Sequence, residues 1–318
     1  MPVLNEERHL AESVQRLLAQ QYDGPLEVVL AIGPSKDRTA AIAAELADAD
    51  ARVIVVENPS GKTPSGLNAA IQASRHEIVV RMDAHALVDS NYIAIAVETL
   101  QRTGAENVGG VMAAEGTTGF QRAVATAMTS KIGVGGASFH VGGVEGPALT
   151  VYLGCFQRAA LSRVGGYDES MERAQDWEMN YRIRETGGTV WFNPALHVTY
   201  RPRRTVHALA KQYFEYGKWR REVARRYPDT ISLRYLAPPI AVLLLAFAVL
   251  AIVIGAFWFA PLAVLGVVMI LGYAALLVLG SLLHLRELSF SAWLWLPFVI
   301  ATMHMSWGVG FLRGGAKS

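Results

Sequence analysis

This chain contains very little cysteine and has a small net charge. Its 318 residues include one cysteine, Cys155, so no disulfide can form within the chain, and we expect this thiol to fill a small buried space. The net charge is only +2, which argues against a nucleic-acid-binding protein. From Tyr235 to Leu285, 51 residues pass without Asp, Glu, Lys or Arg. Runs of this kind are rare in soluble domains, and this one predicts membrane-spanning helices.

The charge-free run is long enough for two membrane helices, because one crossing needs about 20 apolar residues. We expect these helices at 239–260 and 262–283, separated near Pro261. A third apolar segment covers 292–312 but contains several polar residues. For this third segment, crossing the bilayer and lying along its surface both stay open.

A basic segment precedes the first predicted span. Between Arg201 and Arg226 there are nine Lys or Arg residues and two acids. Such clusters stay on the cytoplasmic side of a membrane, and they also bind anionic membrane lipid. We therefore expect a multi-pass protein of the plasma (inner) membrane. Residues 1–200 would form a cytoplasmic domain, 201–234 a basic amphipathic juxtamembrane segment, and 235–318 a transmembrane region of two to three helices.

Apolar strands alternate with helical patterns in the first 80 residues, as a largely parallel sheet requires. Gly-, Pro- and Ser-rich residues over 61–68 predict a loop that leads into a helix at 69–71. Together these elements predict a β-α-β-α-β unit that binds ligands at the carboxyl ends of its strands. The remaining predicted elements are a helix over 10–18, a strand over 28–32, a helix over 39–46, and strands over 52–56 and 77–80.

The triplet Asp83-Ala84-His85 follows the last of these strands. Residues two apart in an extended chain point to the same side, so the carboxylate and the imidazole can converge on one metal ion or ligand. Alone, the triplet is more typical of a polar turn at a strand end. The interpretation as a metal site depends on the motifs around it.

Two further motifs supply that context. The first is PVLNEE at residues 2–7, before an amphipathic helix, and the second is GGYDE at 165–169, followed by QDWEM at 175–179. In this order, the three segments resemble the nucleotide-sugar domain of family 2 glycosyltransferases, with its P-x-x-N-E opening, D-x-D element and E-D-x-[DE]-L helix. The likeness covers roughly the first 225 residues, and an ordered set of motifs is more specific than any single one.

This resemblance implies an α/β fold of the GT-A type, Rossmann-like with a mostly parallel sheet, followed here by transmembrane helices. It implies an inverting glycosyltransferase that moves a sugar from a nucleotide donor to a lipid-linked saccharide. The Gly-rich passage at 133–143 resembles that of succinoglycan-type glucosyltransferases, which extend lipid-linked oligosaccharides in cell-envelope polysaccharide biosynthesis. A polyprenyl-phosphate sugar synthase and a non-catalytic sugar-nucleotide-binding membrane protein stay open as alternatives.

The resemblance also assigns the chemistry. Asp176 is the implied general base that takes the proton of the acceptor hydroxyl, although a helix-capping role would suit it too. Asp83 and His85 are the implied metal ligands, with His85 at a position where the family usually has a second carboxylate. Because a nitrogen ligand favours manganese over magnesium, Mn²⁺ is the expected cofactor and Mg²⁺ the alternative.

Nucleotide recognition departs from the family pattern. Many relatives have two aspartates after the second strand, where this chain has Ile32 and Gly33. We therefore expect a UDP-sugar as donor and keep a GDP-sugar as the alternative. Asp37 would equally well cap the next helix, and Lys62 would equally well be a solvated lysine. The implied nucleotide-sugar-binding residues are Pro2, Asn5, Glu6, Asp37, Lys62, Asn68 and Asp83.

Acceptor binding is assigned to two later segments and one loop. Gln175, which stands where the family often has Glu, and Trp177 flank Asp176, and the aromatic ring would stack on a sugar or belong to the core. Lys218 and Arg220 would pair with diphosphate. The Gly-rich passage 133–143 is expected as a mobile acceptor loop.

The opening motif is the last point at which the chain departs from the family. In relatives this motif ends a strand of several apolar residues, whereas only Val3 and Leu4 follow Met1 and Pro2 here. We expect either a start further upstream or a sheet that lacks much of one strand.

Overall fold

The computed structural model describes residues 1–315, which fall into two compact units. Among the described residues, unit 1 consists of 1–113 and 137–200, and unit 2 of 114–136 and 201–315. This division differs from the sequence-based domain boundaries in one segment. Residues 114–136 group with the later part of the chain rather than with the predicted glycosyltransferase domain.

The strands form two sheets. The first has the order β1-β2-β3, and the second has the order β4-β8-β6-β9-β5 with β7 added at β9. The strands are β1 (Pro2–Val3), β2 (Val28–Ile32), β3 (Val53–Glu57), β4 (Ile78–Val80), β5 (Leu87–Val88), β6 (Asn107–Ala114), β7 (Gly146–Pro147), β8 (Tyr152–Gln157) and β9 (Val190–Tyr200).

Pairing differs between the two sheets. β1, β2 and β3 are parallel, with Val3 opposite Ile32 and Val28 opposite Val53. β8 runs antiparallel to both β4 and β6, and β9 runs antiparallel to β5 and β7. The mixed α/β class agrees with the prediction, while its parallel part is the first sheet.

Fourteen helical segments, thirteen α-helices and one 3₁₀ helix, occur in the described part of the chain. They are α1 (Leu10–Leu18), α2 (Thr39–Ala49), α3 (Thr63–Ala73), α4 (Tyr92–Thr103), α5 (Gly119–Met128), α6 (Lys131–Val134), α7 (Ser138–Val141), α8 (Arg158–Arg163), α9 (Gln175–Glu185), α10 (Val206–Arg226), a 3₁₀ helix (Pro228–Thr230), α11 (Leu233–Phe257), α12 (Ala260–Leu282) and α13 (Phe290–Arg313).

Most of the early elements lie where the sequence predicts them, but two segments do not. The predicted loop over 61–68 is wrong in its second part, because α3 begins at Thr63. Pro64 suits this first turn, where a missing N–H removes no helical hydrogen bond. The Gly-rich passage 133–143 contains the end of α6 and all of α7, each followed by a glycine with φ of 76°.

The core of unit 1 lies between α1, α4 and the sheets. Leu10, Val14 and Leu30 are completely buried there. Cys155 of β8 is also completely buried, and this burial raises the pKa of its thiol to about 12. The expectation of an inert, space-filling cysteine is therefore confirmed.

A cavity lies between the two sheets of unit 1. It has a volume of about 290 Å³ and is lined by β2 and β4, including Val28, Val29 and Ile78. β2 and β4 belong to different sheets, and β1 pairs with β2 through Pro2 and Val3. The expectation of a start further upstream or of a missing stretch of strand stays a prediction.

α11 and α12 have the properties of membrane helices. They have 25 and 23 residues and mean hydropathies of 3.1 and 2.7, and most of their apolar side chains are exposed. They approach closely at small residues, because a Cβ on Gly266 would lie 2.4 Å from the carbonyl oxygen of Ala248. Close packing at glycine and alanine is typical of helix pairs in membranes.

α13 is long enough to cross a membrane but differs from the other two. Its mean hydropathy is 1.3, and a third of its most apolar stretch is buried. It packs tightly on α10, because a Cβ on Gly217 would meet the Trp307 carbonyl oxygen at 2.0 Å and one on Gly310 would meet that of Phe214 at 2.1 Å. α13 also packs on α11, because a Cβ on Gly308 would lie 2.6 Å from the carbonyl oxygen of Pro238, so a third crossing and an interfacial position both stay predictions.

Candidate functional site

The candidate site is built around Arg81, directly after β4. Its Nη2 donates to Oδ1 of Asp83 at 3.1 Å, and its Nη1 contacts the carboxylate of Asp176, in the first turn of α9. The Arg81 side chain is 5% exposed, whereas the two carboxylates are 23% and 22% exposed. One buried cation therefore holds two accessible carboxylates side by side.

Arg81 keeps its positive charge in this position. Burial is the largest single influence and opposes that charge, but Asp83 and the nearby tyrosines Tyr167 and Tyr152 together outweigh it and raise the arginine's pKa. Its backbone N–H donates to the Gly154 carbonyl at 2.9 Å, which joins it to β8. The sequence analysis did not name Arg81, although a charged residue directly after the apolar Ile78–Val80 strand was a usable signal. A buried arginine needs carboxylate partners.

His85 is oriented by the opening motif. Its Nδ1 lies 2.9 Å from Oε1 of Glu6, and the imidazole is 51% exposed. A carboxylate on Nδ1 fixes the ring in the orientation that presents Nε2 to a metal ion. The residues present thus fit a divalent cation at Asp83 and His85. Within residues 1–315 no cluster of three or more His, Cys, Asp or Glu could hold one, so phosphate oxygens would have to complete the coordination.

The opening motif is joined to the turn after β2. Asn5 has a left-handed φ of 55°, and its Oδ1 accepts from the backbone N–H of Lys36 at 2.8 Å. Asp37 accepts from the backbone N–H and hydroxyl of Thr39 at 3.0 and 2.5 Å and from the N–H of Glu7 at 3.2 Å. The contact with Thr39 lowers the pKa of the Asp37 carboxyl. Asp37 therefore caps α2 and holds two loops together, while its role toward a nucleotide stays a prediction.

Lys62 and Asn68 connect α3 to the segment before α9. Lys62 Nζ forms an ion pair with Glu172 at 2.9 Å. The Asn68 amide donates to the Tyr167 carbonyl at 2.9 Å and accepts from the Tyr167 N–H at 2.8 Å. Gly166 leaves room for this contact, because a Cβ there would lie 2.8 Å from the Asn68 oxygen. Both side chains thus help to position the loop that leads to Asp176.

α9 begins after a strained residue and is held by a buried ion pair. Ala174, which precedes Gln175, has a left-handed φ of 61°. Glu178 is 1% exposed and binds Arg182, with contacts of 2.6 and 2.7 Å. Arg182 also donates to the Gly166 carbonyl at 2.8 Å. These contacts fix the direction in which the first turn of α9 presents Asp176.

Trp177 stacks within its own helix. Its ring lies 5.4 Å from that of Tyr181, with 17° between the ring planes. The side chain is neither fully buried nor fully exposed. This intermediate exposure leaves part of the ring available for the predicted contact with a sugar.

Backbone strain is concentrated at this site. Three non-glycine residues in the described chain have positive φ: Asn5, Leu153 and Ala174. Asn5 belongs to the opening motif, Leu153 precedes the glycine that binds Arg81, and Ala174 precedes α9. Such strain costs energy and persists mostly where a site needs a particular geometry.

Lys218 and Arg220, the two cations predicted to pair with diphosphate, belong to α10 in unit 2. Lys218 Nζ lies 3.2 Å from Glu215. Arg220 is 7% exposed, donates to the Thr230 hydroxyl at 3.1 Å and lies 3.7 Å above the Tyr235 ring. Their role toward phosphate stays a prediction.

Comparison with known proteins agrees with this geometry. The model of the family "Glycosyl transferase family 2" matches residues 1–163. The succinoglycan biosynthesis protein ExoA of Rhizobium meliloti (strain 1021) is 31% identical over 315 residues, which cover 98% of this chain and 93% of ExoA. A Methanococcus voltae enzyme, dolichyl N-acetyl-alpha-D-glucosaminyl phosphate 3-beta-D-2,3-diacetamido-2,3-dideoxy-beta-D-glucuronosyltransferase, is 23% identical over 226 residues, 68% of this chain and 70% of that enzyme.

A solved structure shares the fold. The mannosyltransferase PcManGT from Pyrobaculum calidifontis, in complex with GDP-Man and Mn²⁺, superimposes with a TM-score of 0.61 at 22% identity, over 98% of this chain and 85% of that one. At this identity the likeness shows the GT-A fold alone. The family match and the nearly full-length relative go further, and they show that the chain belongs to glycosyl transferase family 2.

Proposed function

We propose that the protein is an inverting glycosyltransferase that moves a sugar from a nucleotide donor to a lipid-linked saccharide at the cytoplasmic face of the plasma membrane. The observation that carries this proposal is the convergence of Asp83 and Asp176 on Arg81. Transfer to a hydroxyl needs one group beside the donor phosphates and one proton acceptor beside the incoming hydroxyl. Asp83, after the end of β4, supplies one carboxylate, and Asp176, in the first turn of α9, supplies the other.

Asp176 is the proton acceptor in this proposal. It lies in the first turn of α9 and is partly exposed, so an acceptor hydroxyl can reach it. Arg81 sets the position of this carboxylate relative to Asp83. Proper placement of reacting groups supplies a large part of the rate gain in such enzymes.

Asp83 and His85 would hold a divalent cation, which when bound offsets the negative charge that develops on the leaving diphosphate. Glu6 orients the His85 ring for this purpose. The nitrogen ligand favours Mn²⁺, with Mg²⁺ as the alternative. The presence of Mn²⁺ in the Pyrobaculum calidifontis mannosyltransferase structure supports this choice.

The donor is proposed to be a UDP-sugar, with a GDP-sugar as the alternative. The junction of Asn5 with the 35–39 turn, together with Pro2, Glu6 and Lys62, is the proposed nucleotide contact. GDP-Man in the same mannosyltransferase structure supports the alternative.

The acceptor is proposed to be a saccharide on a polyprenyl carrier. The R. meliloti relative is named for succinoglycan biosynthesis, and the M. voltae relative carries a dolichyl sugar phosphate in its name. Apolar helices α11 and α12 would place the chain at the membrane where such carriers reside. The basic residues of α10 support a cytoplasmic position for unit 1.

An Asp176→Asn variant tests the general base. We expect sugar transfer to fall by roughly 10²- to 10⁴-fold, because the amide cannot accept the hydroxyl proton. Binding of the donor with Mn²⁺, measured by thermal shift on the detergent-solubilised chain, should stay within about twofold of the wild type, since Asp83 and His85 are retained. Glu185→Gln, an exposed acid on the same helix, is the matched control and should keep full transfer.

A second candidate reaction has one observation in its favour, the ion pair that engages Asp176 with Arg81. In a polyprenyl-phosphate sugar synthase the acceptor phosphate oxygen attacks without a protein base. Full transfer to polyprenyl phosphate by Asp176→Asn would select this reaction over the first. Donor binding without transfer to either acceptor by the wild type would contradict both enzymes and leave the non-catalytic alternative.

A further inference from the structure

Two ion pairs hold the chain on either side of Ala174, the residue that precedes α9. Two residues before it, Glu172 pairs with Lys62 Nζ at 2.9 Å. Two residues after it, Asp176 contacts the guanidinium group of Arg81. Lys62 lies directly before α3 and Arg81 directly after β4, so Ala174 is held from two different parts of unit 1.

Ala174 does not favour its conformation by itself. Its φ of 61° is left-handed, which is unfavourable for a residue with a Cβ. It is the N-cap of α9, but alanine has no side-chain oxygen that could accept a hydrogen bond from the first turn. The contacts on both sides of Ala174 therefore maintain this conformation, and the loss of either one would favour its relaxation.

The loop that precedes α9 has a fixed part and an exposed part. Asn68 binds the N–H and the carbonyl of Tyr167 at 2.8 and 2.9 Å, and Met171 is completely buried. Glu172 and Arg173 follow and are exposed. A movement of this loop would therefore be confined to the short stretch between Met171 and α9.

Lys62 and Glu172 both line one open pocket with a volume of about 380 Å³. Asn5 and Lys36, which belong to the proposed nucleotide contact, line the same pocket. The carboxylate of Glu172 thus occupies Lys62 at the place where we expect the donor to bind.

The Lys62–Glu172 pair is easily displaced. Its two side chains are 43% and 48% exposed, and water screens the charges of such a pair. An exposed pair of this kind shifts an equilibrium by no more than about fivefold. A diphosphate carries more negative charge than one carboxylate, and a lysine ammonium group binds phosphate oxygens well. A diphosphate that reached Lys62 would therefore replace Glu172 at little cost.

We propose that the Lys62–Glu172 pair is a latch that couples donor binding to the placement of Asp176, an assignment that rests on the proposed function. A nucleoside diphosphate that binds Lys62 releases Glu172. The release removes one of the two contacts that hold Ala174, so the first turn of α9 can adjust Asp176 to the acceptor hydroxyl. Glu172 is therefore a positioning residue, and the donor binds before the base takes its productive position.

The latch competes with the nucleotide for Lys62, and this competition has a measurable consequence. Removal of the Glu172 carboxylate should strengthen nucleotide binding by the same factor by which it loosens the loop, because the two effects are linked. A purely structural role of Glu172 predicts the opposite sign, since damage to the loop would weaken the binding of a nucleotide.

Binding of UDP and of GDP, each with Mn²⁺, to the detergent-solubilised full chain tests this proposal without any sugar transfer. Affinity is measured by thermal shift, and loop opening by cleavage after Arg173 with an arginine-specific protease, which follows the population of the open form. In the wild type, the nucleotide that binds should raise this cleavage roughly two- to fivefold. Glu172→Gln should show the raised cleavage without nucleotide and should bind that nucleotide roughly two- to fivefold more tightly.

Two further variants isolate the ion pair. Glu12→Gln breaks a similarly exposed pair with Arg16 in α1 and should match the wild type in both measurements. The double variant Lys62→Glu, Glu172→Lys restores a pair of opposite charges, so its cleavage without nucleotide should return to the wild-type level. Unchanged or weaker nucleotide binding by Glu172→Gln, or no recovery in the double variant, would overturn the proposal.

The experiment separates the latch from the proposed function. Nucleotide binding by the wild type with unchanged cleavage after Arg173 would uphold a nucleotide-dependent enzyme and reject the latch. Binding of neither UDP nor GDP would contradict the proposed function as well, because no donor would then reach Lys62.

Discussion

Arg81 in unit 1 and Arg220 in unit 2 are buried to nearly the same degree, at 6% and 7% exposure, but the side chains that we describe around them differ in charge. Arg81 contacts two carboxylates of its own chain, Asp83 and Asp176. Arg220 shares an aromatic ring with another cation, Arg234. Burial alone therefore does not show what a charged side chain does in the structure. The charges of the neighbouring side chains are also needed.

The two surroundings have different energetic consequences. A buried cation with carboxylate partners is stable as it stands, and removing it leaves the partners without compensation. Arg220 packs on the Tyr235 ring and donates to the Thr230 hydroxyl, and both contacts stabilise its buried position. Unit 1 therefore balances its buried cation with two carboxylates of its own.

Removal of Arg81 should have the largest effect on stability. Arg81→Met leaves Asp83 and Asp176 as neighbouring carboxylates without their cation, and we expect a loss of about 3–5 kcal/mol in the free energy of unfolding. Denaturant titration in detergent micelles measures this loss. The control is Arg38→Met, which breaks an ion pair with Glu45 in which both side chains are exposed, at 72% and 65%, and which should cost about 0–1 kcal/mol.

A double variant shows whether the carboxylates cause the loss. Adding Asp176→Asn to Arg81→Met removes one of the two unpaired charges and should recover part of the stability. A loss below 1 kcal/mol for Arg81→Met, or no recovery in the double variant, would contradict the view that unit 1 neutralises its buried charge internally.

The sequence predicted the two carboxylates of this network but not the cation that joins them. Asp83 and Asp176 belong to local motifs that resemble those of a family. The role of Arg81 depends on a contact between residues 81 and 176, which no local pattern reports. Its position directly after an apolar strand was the available signal, because a charge there must find a partner.

Helix boundaries and packing were predictable to different extents. The amphipathic spacing of α1 and the apolar run of β2 predicted both elements. The start of α3 was missed because Gly, Pro and Ser are typical of loops, although proline also suits a first helical turn. The packing of α13 on α10 could not be predicted from hydropathy, because it depends on glycines that let the two helix backbones approach closely.

The ion pair between Glu178 and Arg182 contains a second buried charge of unit 1. It tests whether burial makes an ion pair more important for stability. Glu178→Gln should destabilise the protein by about 1.5–3 kcal/mol, because a hydrogen-bonded charge at 1% exposure is lost. Glu12→Gln is a closely matched control, since Glu12 and Arg16 form a pair of the same spacing at about half exposure. This exposed pair should contribute about 0.3–0.5 kcal/mol. Equal losses for the two variants would show that burial does not govern these pairs.

Substitution of Arg220 should have the smallest effect on stability. Arg220→Met loses the hydrogen bond to Thr230 and the contact with Tyr235, which together amount to about 1–2 kcal/mol. The same change removes the repulsion from Arg234 and the cost of burying a charge, which act in the opposite direction. In phosphate-free detergent we therefore expect a net change within about 1 kcal/mol of the wild type, well below that of Arg81→Met.

The comparison of the two arginines can fail in one clear way. If Arg220→Met lowers the free energy of unfolding as much as Arg81→Met does, the contacts that Arg220 makes outweigh the cost of burying its charge. The two arginines would then contribute alike to stability, although the neighbours that we describe for them differ in charge.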